Sequence, residues 1–238
     1  NTPDYGIPYF QNKPLNVPIE RFYGMANADY EKNKTGIATA SYQRMFSNGA
    51  TLKTTLRHAE YDRDLHATAP RLRAGTTAIT DSTIINRQRQ SRGANEKTFG
   101  LQSDFNHTFD IGSTRHELIA GIEAVNEKAN RWNNTSTIAN PATTVAGNDI
   151  NPLLPANFKD SFTPVFQGSY KGNTYSAYVQ DVMQFAPKWK LMAGLRYDRM
   201  SADYTNNQYV TYNRTDKEFS SRFGLIYTPS EAGMVYAA

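Results

Sequence analysis

A chain of 238 residues with 12% aromatics and no cysteine is large enough for one sizeable domain; it excludes a disulfide framework and cysteine-ligated metal sites. Mean hydropathy is −0.65, and no apolar run approaches the roughly 18 residues a membrane-crossing helix requires, but a β-barrel needs only alternate residues to be apolar. The net charge of +4 comes without a Lys/Arg block or a nucleic-acid motif, so no nucleic-acid partner is expected.

The chain opens on Asn1 with no charged-then-apolar leader, so an interior piece of a longer protein is the expectation. Residues 1–33 carry Pro3, Pro8, Pro14 and Pro18, which exclude a central strand or helix interior. The interleaved rings of Tyr5, Tyr9, Phe10, Phe22, Tyr23 and Tyr30 read first as a large ordered loop packing on itself, and second as a binding surface. Alternation begins at Thr35–Phe46, with Ala38, Ala40, Tyr42 and Phe46 on one face and Thr39, Ser41 and Gln43 on the other. Arg44 interrupts the apolar face near its end, where a long side chain snorkels. Ser47-Asn48-Gly49 is a hairpin signal, and Thr51–Tyr61 returns as a strand.

Residues 62–96 read as a long polar connection holding the one clear basic cluster, with Arg71, Arg73, Arg87, Arg89, Arg92 and Lys97 against Asp81 and Glu96. Within it, Ser82–Gln90 suits a short projecting strand. The cleanest alternation is Phe99–Phe109: Phe99, Leu101, Ser103, Phe105, His107 and Phe109 share one face, Gly100, Gln102, Asp104, Asn106 and Thr108 the other. Ten residues at about 3.3 Å, tilted by about 40°, cover roughly 25 Å, the height of the apolar band between the aromatic girdles of a membrane barrel. After a short turn, His116–Glu127 returns with Leu118, Ala120, Ile122 and Ala124 opposite Glu117, Gly121, Glu123 and Glu127.

A second long connection, 128–172, leads to Tyr175–Phe185, whose apolar face is broken by Asp181; a bulge near Gln180-Asp181 is one way to resolve it. Trp189, Leu191, Ala193, Leu195 and Tyr197 then alternate with Lys190, Met192, Gly194, Arg196 and Asp198. Residues 201–217 read as a polar loop before a strand bearing Phe219, Ser221, Phe223, Leu225 and Tyr227 on one face. A turn at 228–233 enters a last, unfinished strand. Short connections at 47–50, 110–115, 186–188 and 228–233 alternate with long ones at 1–33, 62–96, 128–172 and 201–217, as short periplasmic turns alternate with long extracellular loops in outer-membrane barrels. The fold expected is all-β: an antiparallel up-and-down transmembrane β-barrel, of which about eight strands are present.

Tyr178-Val179-Gln180-Asp181, Trp189, Gly194-Leu195-Arg196-Tyr197-Asp198, Phe219-Ser220-Ser221-Arg222 and Gly224-Leu225-Ile226-Tyr227-Thr228-Pro229 resemble the barrel of TonB-dependent siderophore receptors. Pro3-Asp4-Tyr5-Gly6-Ile7-Pro8 followed by Phe22-Tyr23-Gly24 is similar to the ferric-catecholate subgroup. The resemblance implies a 22-stranded barrel, plugged by an N-terminal domain that contacts TonB; no plug is recognisable here, so the chain reads as part of the barrel alone. It further implies a bacterial outer-membrane location with lipid around the wall, and a ferric siderophore as ligand. Glu117, Glu123, Glu127, Arg196, Asp198 and Arg222 would then line the lumen, as plug contacts or as wetted wall.

Catalytic motifs are missing, so no enzyme is expected. His116-Glu117-Leu118-Ile119-Ala120 begins like a zinc-protease motif but ends in Ala. His58, His66, His107 and His116 are scattered rather than clustered as metal ligands. No protein-held cofactor is expected, since iron arrives chelated by the siderophore. A ferric catecholate combines negative charge with flat rings, which Arg attracts and stacks upon and which Tyr and Trp contact broadly. The ligand candidates are Tyr5, Tyr9, Arg71, Arg87, Arg89, Arg92, Arg131, Trp132, Tyr204, Tyr209 and Tyr212. A passive porin, or a small outer-membrane barrel protein or enzyme, are the alternatives; liposome swelling would favour the porin.

Overall fold

The computed structural model describes residues 5–25, 28–136, 142–147, 162–230 and 232–238. Pro3 and Asp4 of the opening motif, Glu231 of the last turn and much of the 128–172 connection lie outside the described residues. No helix occurs among the described residues. Two short strands, β1 (Tyr9–Phe10) and β2 (Lys13–Pro14), pair antiparallel. The long strands are β3 (Tyr30–Met45), β4 (Thr51–Leu72), β5 (Ile84–Ile111), β6 (Thr114–Ser136), β8 (Phe162–Ala186), β9 (Trp189–Asn206) and β10 (Thr211–Ser230), with β7 (Thr143–Thr144) and β11 (Gly233–Ala237) short. The sheet runs β11-β10-β9-β8-β6-β5-β4-β3, each neighbour but one being the next strand in sequence, and β7 pairs with β5 off this path. This is the up-and-down order expected from alternation, and among the described residues the eight strands on the path match the expected number.

The chain divides into two compact units. The second comprises Gly36–Glu60, Glu96–Ala129 and Ser169–Ala238. Its connections are the short ones. At Ser47-Asn48-Gly49, Phe46 N donates to Ala50 O (2.9 Å), Asn48 Oδ1 accepts from Ala50 N, and Gly49 takes φ +84°, a conformation that favours glycine. Between β9 and β10 the register holds from Thr205 opposite Thr211 to Trp189 opposite Tyr227 without a shift. A continuous register keeps each strand's two side-chain sets on constant faces.

Hydrogen bonds across the strands fix which sets share a face. Ser41 Oγ meets Thr55 Oγ1 (3.0 Å) on the polar face, and Thr54 Oγ1 meets Ser103 Oγ (2.9 Å) on the face that carries Phe99, Phe105 and Phe109. That second face is greasy and uncovered: Phe219, Phe223 and Ile122 are each more than half exposed. It is bounded by rings. Trp189 and Tyr227 lie 4.4 Å apart beside the short turns, and Arg44 places its guanidinium over Phe46 at 4.9 Å, as snorkelling predicts. Toward the other end stand Phe99, Tyr175 and the cross-strand pair Tyr197–Phe219. Asp181, the acid on this face, is met by His116 Nδ1 at 2.6 Å. His116 stacks on Phe109, and Phe109 on His107, with centroids 5.2 Å apart in each pair. An imidazole partner therefore accommodates Asp181 on this face.

The first unit comprises Asn1–Thr35, Tyr61–Asn95 and Asn130–Gly168, the excursions of the chain. It has its own core: Leu15, Tyr23, Ile85 and Val145, with Ile7, Phe10, Val17, Leu72 and Ile79 packed against them. Burying aliphatic side chains such as Leu15 and Ile85 contributes about 1.5–3 kcal/mol each. Tyr23 Oη donates to Val145 O (2.8 Å), and Val145 N to Thr83 O (3.0 Å). The opening segment is thus an ordered loop with its own packing.

The structure corrects three boundaries. The 62–96 connection is narrower, because β4 continues to Leu72 and β5 begins at Ile84. Leu65, Ala67 and Ala69 are buried on one side of β4 and His66 and Thr68 on the other, so no polar face shows in the sequence. The 128–172 connection loses its ends to β6 and β8. The 201–217 loop contracts to the turn between Asn206 and Thr211, since both flanks are strand.

Candidate functional site

The polar face of the second unit carries a connected set of charges. Arg196 reaches Glu123 (3.1 Å) from β6 and Asp198 (2.8 Å) on its own strand, and Asp198 accepts from Ser176 Oγ (2.5 Å) on β8. The Arg196 guanidinium lies 5.5 Å from the centre of the Tyr178 ring, whose hydroxyl donates to Asp104. Gly121 makes room for that ring: a β-carbon there would lie 2.4 Å from Tyr178 Cζ. Lys190 pairs with Glu117 at 3.1 Å. The acids and bases expected to line a lumen therefore largely satisfy each other across strands. Arg222 differs: it is exposed beside a recess of about 320 Å³ lined also by Tyr178, Gln180 and Arg196.

In the first unit two candidate arginines turn inward. Arg87 is buried and its Nε donates to Tyr23 O (2.9 Å). Arg89 pairs with Asp29 at 3.3 Å. Asp29 Oδ2 also accepts from Met25 N (2.9 Å), and Oδ1 from Thr68 Oγ1 (2.8 Å). Burial pushes the Asp29 carboxyl above the ordinary range despite these donors, and lowers Arg89 despite Asp29. These two arginines hold Tyr23 and Asp29 to strand β5. In sequence they are exposed-loop cations, whereas in the fold partners 60 or more positions away engage them.

The other candidates stay accessible. In the first unit Arg71, Arg92 and Arg131 are exposed, as are Tyr5 and Tyr9. Among the described residues, Arg71 makes only a long contact to Gln88 (3.4 Å). In the second unit Tyr204 and Tyr212 are cross-strand partners at the β9–β10 tip, with Tyr209 in the turn between them, all three exposed. The three tyrosines come together; Arg71, Arg92 and Arg131 are not joined by any contact among the described residues.

Trp132 is half-buried on β6, its indole against the backbone at Gly93, where a β-carbon would lie 2.0 Å from Nε1. It lines a cleft of about 690 Å³ together with Tyr30, Lys32, Lys34, Asp62, Asp64 and other residues of the first unit. Asp64 organises one wall: Tyr30 Oη donates to Oδ2 and His66 Nε2 lies at Oδ1, both at 2.9 Å, while the Tyr30 and His66 rings stack at 4.6 Å. Burial lowers His66 below the ordinary imidazole value, and burial together with Asp64 pushes the Tyr30 hydroxyl up to about 12. Tyr30, Asp64 and His66 were invisible in the sequence as a cluster. The only signal was spacing, with Asp64 and His66 two apart and so on one strand face. No group of His, Cys, Asp and Glu placed to hold a metal occurs among the described residues.

Comparison with known proteins adds to this geometry. A family model described as TonB dependent receptor-like, beta-barrel, matches residues 1–238. The chain is 27% identical over 263 residues to the probable TonB-dependent receptor BfrD of Bordetella pertussis, covering 99% of the chain and 35% of that protein. It is 25% identical over 224 residues to the catecholate siderophore receptor Fiu of Escherichia coli, covering 86% of the chain and 28% of Fiu. Among solved structures, the open form of the ferric-catecholate import receptor Fiu aligns with a TM-score of 0.81 at 20% identity, covering 99% of the chain and 41% of Fiu. The siderophore receptor PiuA of Acinetobacter baumannii aligns at 0.72 and 22% identity, covering 99% and 37%. The chain thus spans about 35% of the length of BfrD.

Proposed function

The chain belongs to the TonB-dependent receptor β-barrel family, and on that premise we propose that the complete protein imports a ferric siderophore across the bacterial outer membrane, energised by TonB. The observation that carries this is the family match over the whole chain, on strands whose one face is greasy and whose other face is charged. The greasy face of the second unit meets outer-membrane lipid, and the membrane-spanning stretches lie in that unit. Glu123, Arg196 and Asp198 face the enclosed interior, where a plug docks. The role is transport, and the iron arrives inside its chelator.

The finer reading is a catecholate siderophore. Similarity to Fiu supports it, as do the exposed cations Arg71, Arg92 and Arg131 and the exposed rings of Tyr5, Tyr9, Tyr204, Tyr209 and Tyr212. A cation attracts the anionic complex, and a tyrosine offers broad contact area at small entropic cost. The test is iron-limited growth of cells whose only siderophore receptor is the complete protein, supplied in turn with ferric catecholate, hydroxamate and citrate complexes. Rescue by the catecholate that disappears without TonB is the expected result. Rescue that persists without TonB would point to a passive pore, and rescue by citrate or hydroxamate alone would remove the catecholate assignment. The triple Ala replacement of Arg71, Arg92 and Arg131 is expected to weaken ferric-catecholate binding by about tenfold or more.

A further inference from the structure

We propose that the Trp132 cleft of the first unit is a saccharide site. Its size, about 690 Å³, falls within the roughly 300–1,000 Å³ of small-molecule sites. Its charge decides the class of ligand. Arg63 is engaged by Glu31 at 2.7 Å, which leaves Lys32 and Lys34 against Asp62 and Asp64. Cations and carboxylates are balanced there, so an anionic chelate meets Asp62 and a cationic ligand meets the lysines. A neutral polyhydroxyl compound suits both, because each hydroxyl donates to a carboxylate and accepts from an ammonium.

The remaining polar groups are arranged for such a ligand. Asp64 is occupied by Tyr30 and His66, and Lys32 sits over the Tyr30 ring at 4.6 Å. Lys34 and Asp62 are exposed, and among the described residues neither side chain has a hydrogen-bonding or ionic partner. They stand as donor and acceptor on the rim. Asn33 and Asn134 add amides to the lining, Asn134 within 3.2 Å of His66 Nε2. Trp132 supplies the platform. The face of an indole is electronegative, and the C–H groups on one side of a pyranose ring are weakly electropositive, so the sugar lies flat on the ring. Gly93 keeps the indole in place, since any larger residue there would displace it. The site is independent of the import reading, because a mixed-sign cleft with one aromatic wall is unsuited to a highly charged ferric catecholate. A free oligosaccharide and the glycan of the outer-membrane surface share this chemistry.

The experiment is isothermal titration calorimetry of the complete protein in an amine-oxide detergent, which carries no sugar headgroup. The probes are maltotriose, deacylated lipopolysaccharide oligosaccharide and 2,3-dihydroxybenzoate. Binding of at least one glycan is expected, weakened about tenfold or more by Trp132→Ala. Lys34→Ala and Asp62→Asn, both at exposed positions that leave the fold intact, are each expected to weaken it about fivefold. Binding of maltotriose assigns a free glycan; binding of the lipopolysaccharide oligosaccharide alone assigns the surface glycan. The proposal is overturned if neither glycan binds, or if all three variants bind them as the wild type does. It is equally overturned if only dihydroxybenzoate binds through Trp132.

Discussion

Asp29 lies under Met25 and Thr68 with both oxygens engaged, yet burial raises its carboxyl above the ordinary value. An acid raised in this way holds its proton more readily folded than unfolded. Its contribution to stability is therefore greatest in acid and is lost as pH rises through the raised value. His66 works in the other sense. Burial lowers its imidazole below the ordinary 6.5, so its contribution is complete above that value and is lost as pH falls from there. Between pH 7 and pH 5 the amides of 65–69, corrected for intrinsic exchange, are expected to lose protection, and His66→Gln to flatten that loss. Asp29→Asn keeps one acceptor oxygen, for Met25 N, and turns the other atom into an amide donor that the Thr68 hydroxyl accepts; it is expected to make the acid-side loss steeper, because the opposing contribution is gone. An unaltered slope in His66→Gln would show that the imidazole takes up its proton equally in the folded and unfolded states. None of this was legible from the chain: a basic cluster marks where cations are, but the partners of Arg87 and Arg89 lie far off in sequence.

At the scale of the element, β9 and β10 show what alternation reveals and what it hides. From Trp189 to Tyr197 apolar residues recur at every second position on the greasy face, so the strand is plain in the sequence. Beyond Ser201 both faces are polar, the period carries no signal, and the same ladder continues unseen to Asn206 and Thr211. The turn that ends it is built locally. Asn206 Oδ1 accepts from Gln208 N (2.9 Å) and Val210 N (3.0 Å), and Tyr209 N donates to Asn206 O (3.0 Å). Tyr209 takes φ +61°, a left-handed conformation that costs a residue with a β-carbon roughly 1–2 kcal/mol. Tyr209→Gly is therefore expected to slow amide exchange at Val210 and Thr211, and Asn206→Ala, which loses two backbone contacts, to speed it by about fivefold or more. Faster exchange in Tyr209→Gly would show that the ring, and not the backbone, holds the turn.

For the molecule as a whole, the decisive property is which face of the sheet meets hydrocarbon. The hairpin plan, the strand order and the segregation of greasy and charged faces were all legible, because a bilayer leaves no other way to satisfy backbone groups and side chains at once. The separate packing of the excursions was not, because its contacts join segments more than a hundred positions apart, as Tyr23 joins Val145. Phe223 stands four residues from both Phe219 and Tyr227 on β10, midway between the two rings of aromatics, and it is 64% exposed. Ser220 is on the opposite face, opposite Arg196 in the register. In denaturant titrations of the complete protein refolded into bilayers, Phe223→Arg is expected to cost about 2–4 kcal/mol, since it places a charge near the bilayer midplane. Ser220→Arg, facing the wetted interior, is expected to cost under about 1 kcal/mol beyond repulsion from Arg196, because it stays hydrated and ion-screened. Equal costs for the two would mean that the greasy face is covered by protein and not by lipid. A larger cost at Ser220 would invert the assignment of the two faces, and with it the placement of Glu123, Arg196 and Asp198 toward a plug.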